Sequence, residues 1–179
     1  SNGFSLLGID PIDCSGESVS TAGDINGDGF DDIVLGAEGG DAGGQDSGET
    51  YVVFGSASGL AGGSASLELS LLNGTNGFAL HGMLANDFSG DSVSIIGDCN
   101  GDGYDDIVVG APGADPFGRM GAGSTYVVFG SGGTFSAALD YSALNGNNGF
   151  RLDGIEPDDM SGRSVSSAGD INGDGFDDI

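Results

Sequence analysis

The 179-residue sequence sets 28 acidic side chains against 3 basic ones, a formal net charge of −25, and holds 38 glycines but only 4 prolines. Such a surface repels phosphate backbones and anionic membranes, so nucleic-acid binding and lipid-surface attachment are excluded; cations remain as partners, beside the plainer role of an acidic, solvated surface. The glycines follow no Gly-X-Y period, which excludes collagen, and no apolar stretch is long enough to cross a bilayer.

Internal repetition dominates the chain. Asn2-Gly3-Phe4 returns as Asn76-Gly77-Phe78 and Asn148-Gly149-Phe150, at steps of 74 and 72 residues. Asp24, Asp98 and Asp170 open acidic segments at the same steps. Tyr51-Val52-Val53-Phe54-Gly55 returns as Tyr126-Val127-Val128-Phe129-Gly130, and Leu72-Asn73-Gly74 as Leu144-Asn145-Gly146.

In chain order, residues 1–8 read as the final strand of a preceding unit, 9–82 as a first repeat, 83–154 as a second, and 155–179 as a partial third. Each full unit reads as four short strands with turn-rich connections and no helical periodicity. In the second unit these strands are expected at Ser92–Gly97, Asp106–Ala111, Thr125–Gly130 and Gly149–Leu152. Runs such as Ile107-Val108-Val109 are apolar on both faces, so each sheet should be covered on both sides. Small stacked four-stranded sheets describe a β-propeller, with the small residues of Ser18-Val19-Ser20 and Ser92-Val93-Ser94 suited to a crowded inner strand; a β-solenoid is the competing architecture. Both ends fall within a unit, so the missing strands are expected from further repeats in a longer chain or from neighbouring copies.

The acidic segments carry the chemistry. The first runs Asp24-Ile25-Asn26-Gly27-Asp28-Gly29-Phe30-Asp31-Asp32, with side-chain oxygens at positions one, three, five and nine and glycine at the sharp turn at six. Asp98, Asn100, Asp102 and Asp106 repeat the pattern around Gly103, as do Asp170, Asn172, Asp174 and Asp178 around Gly175. The backbone carbonyls of Phe30, Tyr104 and Phe176 are the expected seventh-position ligands. An acidic hairpin without metal is the bland alternative, since Asn-Gly and Asp-Gly are common turn formers. Three copies, each gathering four carboxylates within nine residues, would repel themselves without a cation, and the oxygen pattern fits one Ca²⁺ ion per loop better than Mg²⁺. An EF-hand is excluded because position twelve holds Leu35 or Val109 rather than glutamate, and a dockerin-type module because Ile33–Ala37 forms no helix.

With these loops, Gly110-Ala111-Pro112 after the second and Phe88-Ser89-Gly90 before its inner strand, the units resemble FG-GAP repeats, the blades of the integrin α-subunit propeller and of related bacterial extracellular proteins. The resemblance spans the whole chain. Departures are Cys14-Ser15-Gly16 and Met160-Ser161-Gly162 at the Phe-Gly element, and Gly36-Ala37-Glu38 after the first loop. It implies an all-β fold, about two and a half integrin α-like blades of four antiparallel strands, with a Ca²⁺ loop between the first and second strands of each. It also implies an extracellular or cell-surface setting and a role in adhesion or partner recognition, the protein or glycan ligand being unnamed. The loops at the other end of each blade, Ile9–Ser15, Glu38–Gly48, Leu84–Ser89 and Gly113–Gly121, vary between repeats and are the expected partner face, although solvated loops without function read the same.

Catalysis is not expected. The chain has one histidine, His81, at a position that varies between repeats (Leu7, Asp153), and no lysine; the Asp-Asp pairs 31–32 and 105–106 are assigned to metal binding. Two further function classes stand beside a recognition module: a structural subunit of a filament or surface layer, and an accessory propeller of a larger secreted enzyme. Cys14 and Cys99 occupy unrelated repeat positions; a disulfide between them is one option, and neither cysteine fixes the compartment.

Overall fold

The computed structural model describes residues 3–21, 23–60 and 65–179. Among them the chain is all-β, with eleven strands: β1 Ser5–Leu7, β2 Val19–Thr21, β3 Ile33–Ala37, β4 Glu49–Val53, β5 Ser66–Glu68, β6 Gly77–His81, β7 Ser92–Gly97, β8 Asp106–Ala111, β9 Ser124–Val128, β10 Ala138–Asp140 and β11 Gly149–Asp153. The four strands expected in the second unit are all present, β7 and β8 with the expected bounds.

They form two blade-like sheets, with strand orders β10-β6-β4-β3-β2 and β11-β9-β8-β7, and a two-stranded pair β1-β5. Within each blade the four expected strands run antiparallel. Beyond the four-strand reading, each repeat lends a short strand to the outer edge of the sheet before it. β10 pairs parallel with β6 (Leu139 opposite Leu80), as β5 pairs with β1 (Leu67 opposite Leu6). Three residues such as Ala138-Leu139-Asp140 carry too little alternation to announce a strand; the unpaired N–H and C=O row of the preceding blade supplies the reason for one.

Alternation along the strands sends side chains to opposite faces, and both faces are buried. From blade 1, Val34, Val52, Phe78 and Leu80 meet Val93, Ile107, Val109, Tyr126 and Tyr141 of blade 2 in the core between the sheets. Phe78 stacks on Phe135 with ring centroids 4.7 Å apart, and Tyr126 on Tyr141 at 4.1 Å. The other face of blade 1 sends Leu35, Tyr51 and Val53 against Leu67, Leu69 and Leu6, while Ile96, Val108 and Val127 of blade 2 pack against Phe150 and Val165.

The blades are tied at both ends, and at the end away from the acidic loops the tie is a glycine contact. Gly90, which precedes β7, donates its N–H to Gly110 O in its own blade at 2.9 Å, and its carbonyl accepts from Ser18 Oγ of blade 1 at 2.7 Å. That carbonyl lies so close to Gly36 that a Cβ there would sit 1.9 Å from it. The next junction is the same: Ser92 Oγ donates to Gly162 O at 2.7 Å, and a Cβ on Gly110 would stand 1.7 Å from that oxygen. Cys14, Phe88 and Met160 all hold φ between 53° and 56° before their Ser-Gly, so replacing the Phe side chain leaves the turn unchanged. Gly110→Ala must therefore separate the blades or distort a backbone on both sides. A loss of about 1–3 kcal/mol in denaturant unfolding is expected, against little change for Gly133→Ala, whose Cβ would meet only the hydroxyl of Ser131 at 3.3 Å.

Candidate metal centre and blade junctions

Acidic loops 1 and 2 join the first two strands of their blades, β2 to β3 and β7 to β8, loop 3 lies in the partial third repeat, and each wraps its side chains inward onto its own amides. In loop 1, the Asp24 carboxylate accepts from Asp28 N at 3.0 Å and Gly29 N at 2.8 Å. Asn26 Oδ1 accepts from Asp28 N at 2.9 Å, and Asp28 Oδ1 from Phe30 N at 3.0 Å. Loop 2 repeats this: Asp98 accepts from Asp102 N and Gly103 N, Asn100 from Asp102 N, and Asp102 from Tyr104 N. In loop 3 Asp170, Asn172 and Asp174 do the same. Gly29, Gly103 and Gly175 sit at φ 87–92°, the left-handed turn that position six demands.

Position nine closes the loop from inside. Asp32 is fully buried and accepts from Ile25 N and Gly55 N, both at 2.9 Å; Asp106 accepts from Cys99 N at 3.0 Å and Gly130 N at 2.9 Å. Burial pushes the Asp32 carboxyl up to about 6 and raises that of Asp106, with the amide hydrogen bonds pulling the other way. Asp178, in the more open third loop, accepts from Ile171 N at 3.0 Å.

The donors of a loop are all oxygen: three carboxylates, an amide and the seventh-position carbonyl. That set suits a hard cation, and a carboxylate oxygen that accepts one amide keeps a further lone pair for a ligand. Among the described residues no three carboxylates of one loop lie within 4.8 Å of one another; the group that does is Cys14, Glu17 and Glu38, at the opposite end of the blade. The sequence-predicted ligands are thus brought onto one short turn but are held by amides, and an ion would draw them closer.

The Asp-Asp pairs divide their labour. Position nine belongs to the loop, but in loops 2 and 3 position eight reaches into the preceding repeat. Asp24 N donates to Asp105 Oδ2 at 2.7 Å while Asp105 N donates to Asp24 O at 3.2 Å. Asp98 and Asp177 exchange the same two bonds, both at 3.2 Å. Tyr104 and Phe176 lay their rings on Gly27 and Gly101, where a Cβ would fall 2.3 and 2.2 Å from a ring carbon. Assigning both members of the 105–106 pair to metal binding misses this. A visible signal was the recurrence of a second aspartate outside the ligand positions, always after an aromatic residue.

At the opposite end, large apolar side chains stand in solvent on the loops that vary: Ile12, Leu84, Phe117, Met120 and Ile155. Leu84, Phe117 and Arg151 line a hollow of about 120 Å³, and the Arg119 guanidinium sits 5.0 Å from the Phe117 ring. Cys14 and Cys99 are free thiols; Cys99 Sγ donates to Asp106 Oδ2 at 2.9 Å. His81 ends β6 with Nε2 3.7 Å from Glu49 Oε1.

Glu38, in the place where the second repeat has Pro112, shares a hydrogen bond with Asp91 of the next blade, and this bond, with burial and neighbouring acids, pushes its carboxyl up to about 7. A carboxyl raised in the folded state binds its proton more tightly there than when unfolded. This group's contribution to stability therefore grows as pH falls from about 7 toward 4.5 and is absent above that window. Glu38→Gln should melt higher than the parent above pH 7, with the gap closing toward pH 5; thermal scans in parallel buffers read it.

Residues 15–53 and 89–128 match the model of the FG-GAP repeat. Mouse (Mus musculus) integrin alpha-2 is 30% identical over 90 residues, which cover 50% of this chain and 7% of that protein. The chain thus spans a small part of this curated relative. Each matched segment runs from the Ser-Gly turn through the acidic loop to the third strand of its blade, so one match to the FG-GAP repeat falls on each blade.

Proposed function

We propose that the chain is a Ca²⁺-stabilised extracellular recognition or adhesion module. The ligands are Asp24, Asn26, Asp28, Phe30 O and Asp32 in loop 1, Asp98, Asn100, Asp102, Tyr104 O and Asp106 in loop 2, and Asp170, Asn172, Asp174, Phe176 O and Asp178 in loop 3. The observation that carries the reading is the threefold recurrence of one oxygen-rich turn, with the same amide hydrogen bonds at positions one, three and five. An ion there would neutralise carboxylates that otherwise repel one another in a chain of charge −25. The partner face is the opposite end, where exposed Phe117, Met120 and Leu84 on the connections that vary between repeats give apolar anchors. Catalysis forms no part of the reading.

Two measurements test the main reading. Free Ca²⁺ at ten times a site's dissociation constant contributes about 1.4 kcal/mol for that site, so excess chelator should lower the melting temperature and millimolar Ca²⁺ restore it; an unchanged value rejects the metal assignment. Replacing Glu38–Gly48 with a Gly/Ser linker should impair partner capture and spare Ca²⁺ affinity, and the reverse result rejects the partner face.

A further inference from the structure

Asp105 lies between Tyr104 and Asp106, two of the residues assigned to loop 2, yet its carboxylate and its backbone N–H both bond to loop 1. Its carboxylate receives the N–H of Asp24, the position-one residue, and its own N–H is given to the Asp24 carbonyl. The peptide units on either side of Asp24 are therefore fixed by a residue whose two neighbours are loop 2 ligands. Tyr104 adds a second tie through its ring on Gly27. Asp177 repeats the arrangement toward Asp98, and Phe176 toward Gly101. Asp31, at the same position in loop 1, is exposed.

We propose that Asp105 and Asp177 are positioning residues that couple cation binding in successive loops, so that filling one loop raises the affinity of the loop before it. The inference rests on the Ca²⁺ reading above. Drawing Tyr104 O and Asp106 onto an ion fixes Asp105, and a fixed Asp105 orders the Asp24 peptide units. The ordering cost of loop 1 is then met before its own ion arrives, and linkage makes the effect reciprocal.

Calorimetric Ca²⁺ titration of the full chain tests it. With loop 3 disabled by Asp174→Ala, loops 1 and 2 should take two ions with positive cooperativity of about fivefold or more. Adding Asp105→Ala should leave two ions bound without cooperativity. Asp105→Asn, which keeps an acceptor for the Asp24 N–H, should restore it, and Asp31→Ala should leave it intact. Independent sites in the Asp174→Ala chain, or cooperativity that survives Asp105→Ala, overturn the proposal while leaving the Ca²⁺ reading standing. A chain that takes no Ca²⁺ overturns both. Should Asp105→Ala fail to fold, amide exchange decides between coupled and independent loops without it: in an Asp28→Ala chain, Ca²⁺ filling loop 2 should slow exchange of the Asp24 amide about fivefold or more, and an unchanged rate overturns the coupling.

Discussion

The fold depends on how closely one backbone can approach another at the blade junction. The carbonyl of Gly90 occupies the space that a side chain on Gly36 would fill, and Gly162 does the same to Gly110. Those contacts bring the serine hydroxyls of Ser18 and Ser92 onto the same oxygens and set the distance at which the two apolar faces meet. The stacked rings of Phe78 and Phe135, and of Tyr126 and Tyr141, fill the gap that this spacing leaves. A junction built on backbone atoms tolerates change in the side chains beside it, which is why Cys14, Phe88 and Met160 can share one backbone conformation.

Charge works against this architecture and the loops concentrate it. A net charge of −25 spread over a small body raises the free energy of the compact state, most strongly where carboxylates share a turn. The chain answers in part with its own amides, which cap the aspartates of each loop; Asp32 and Asp106 are buried beneath the turn, where two backbone donors offset only part of the desolvation cost and both carboxyls stay raised. Amides hold the carboxylates in place without cancelling their charge. A divalent cation would do both.

The two ends of a blade thus face different demands. At one end the connections are fixed in length and chemistry by the loop geometry and by the position-eight aspartates that lock loop to loop. At the other, the longer connections between the second and third strands are tied to the next repeat through their backbones, Asn86 N to Gln45 O and Asp158 N to Met120 O, which leaves their side chains to differ, Phe117 and Met120 in one and Asp41 and Gln45 in the other. Variation between the repeats gathers where the fold asks least of the side chains.

The repeat steps of 74 and 72 residues, the doubly apolar strands and the Asp-x-Asn-x-Asp-Gly turns determined by themselves that the chain is all-β, where β7 and β8 begin and end, and which side chains turn inward at each loop. These are local properties: alternation, turn chemistry and spacing act over a few residues. Three matters were decided only by tertiary structure. β5 and β10 form because a neighbouring sheet edge offers unpaired hydrogen-bonding groups, a need not written in three residues. Asp105 and Asp177 serve the preceding loop, because a partner about 80 residues earlier in the chain is brought to them by blade stacking. Gly36 and Gly110 are required by a carbonyl from another repeat, and no pattern within their own strands shows what fills the space beside them.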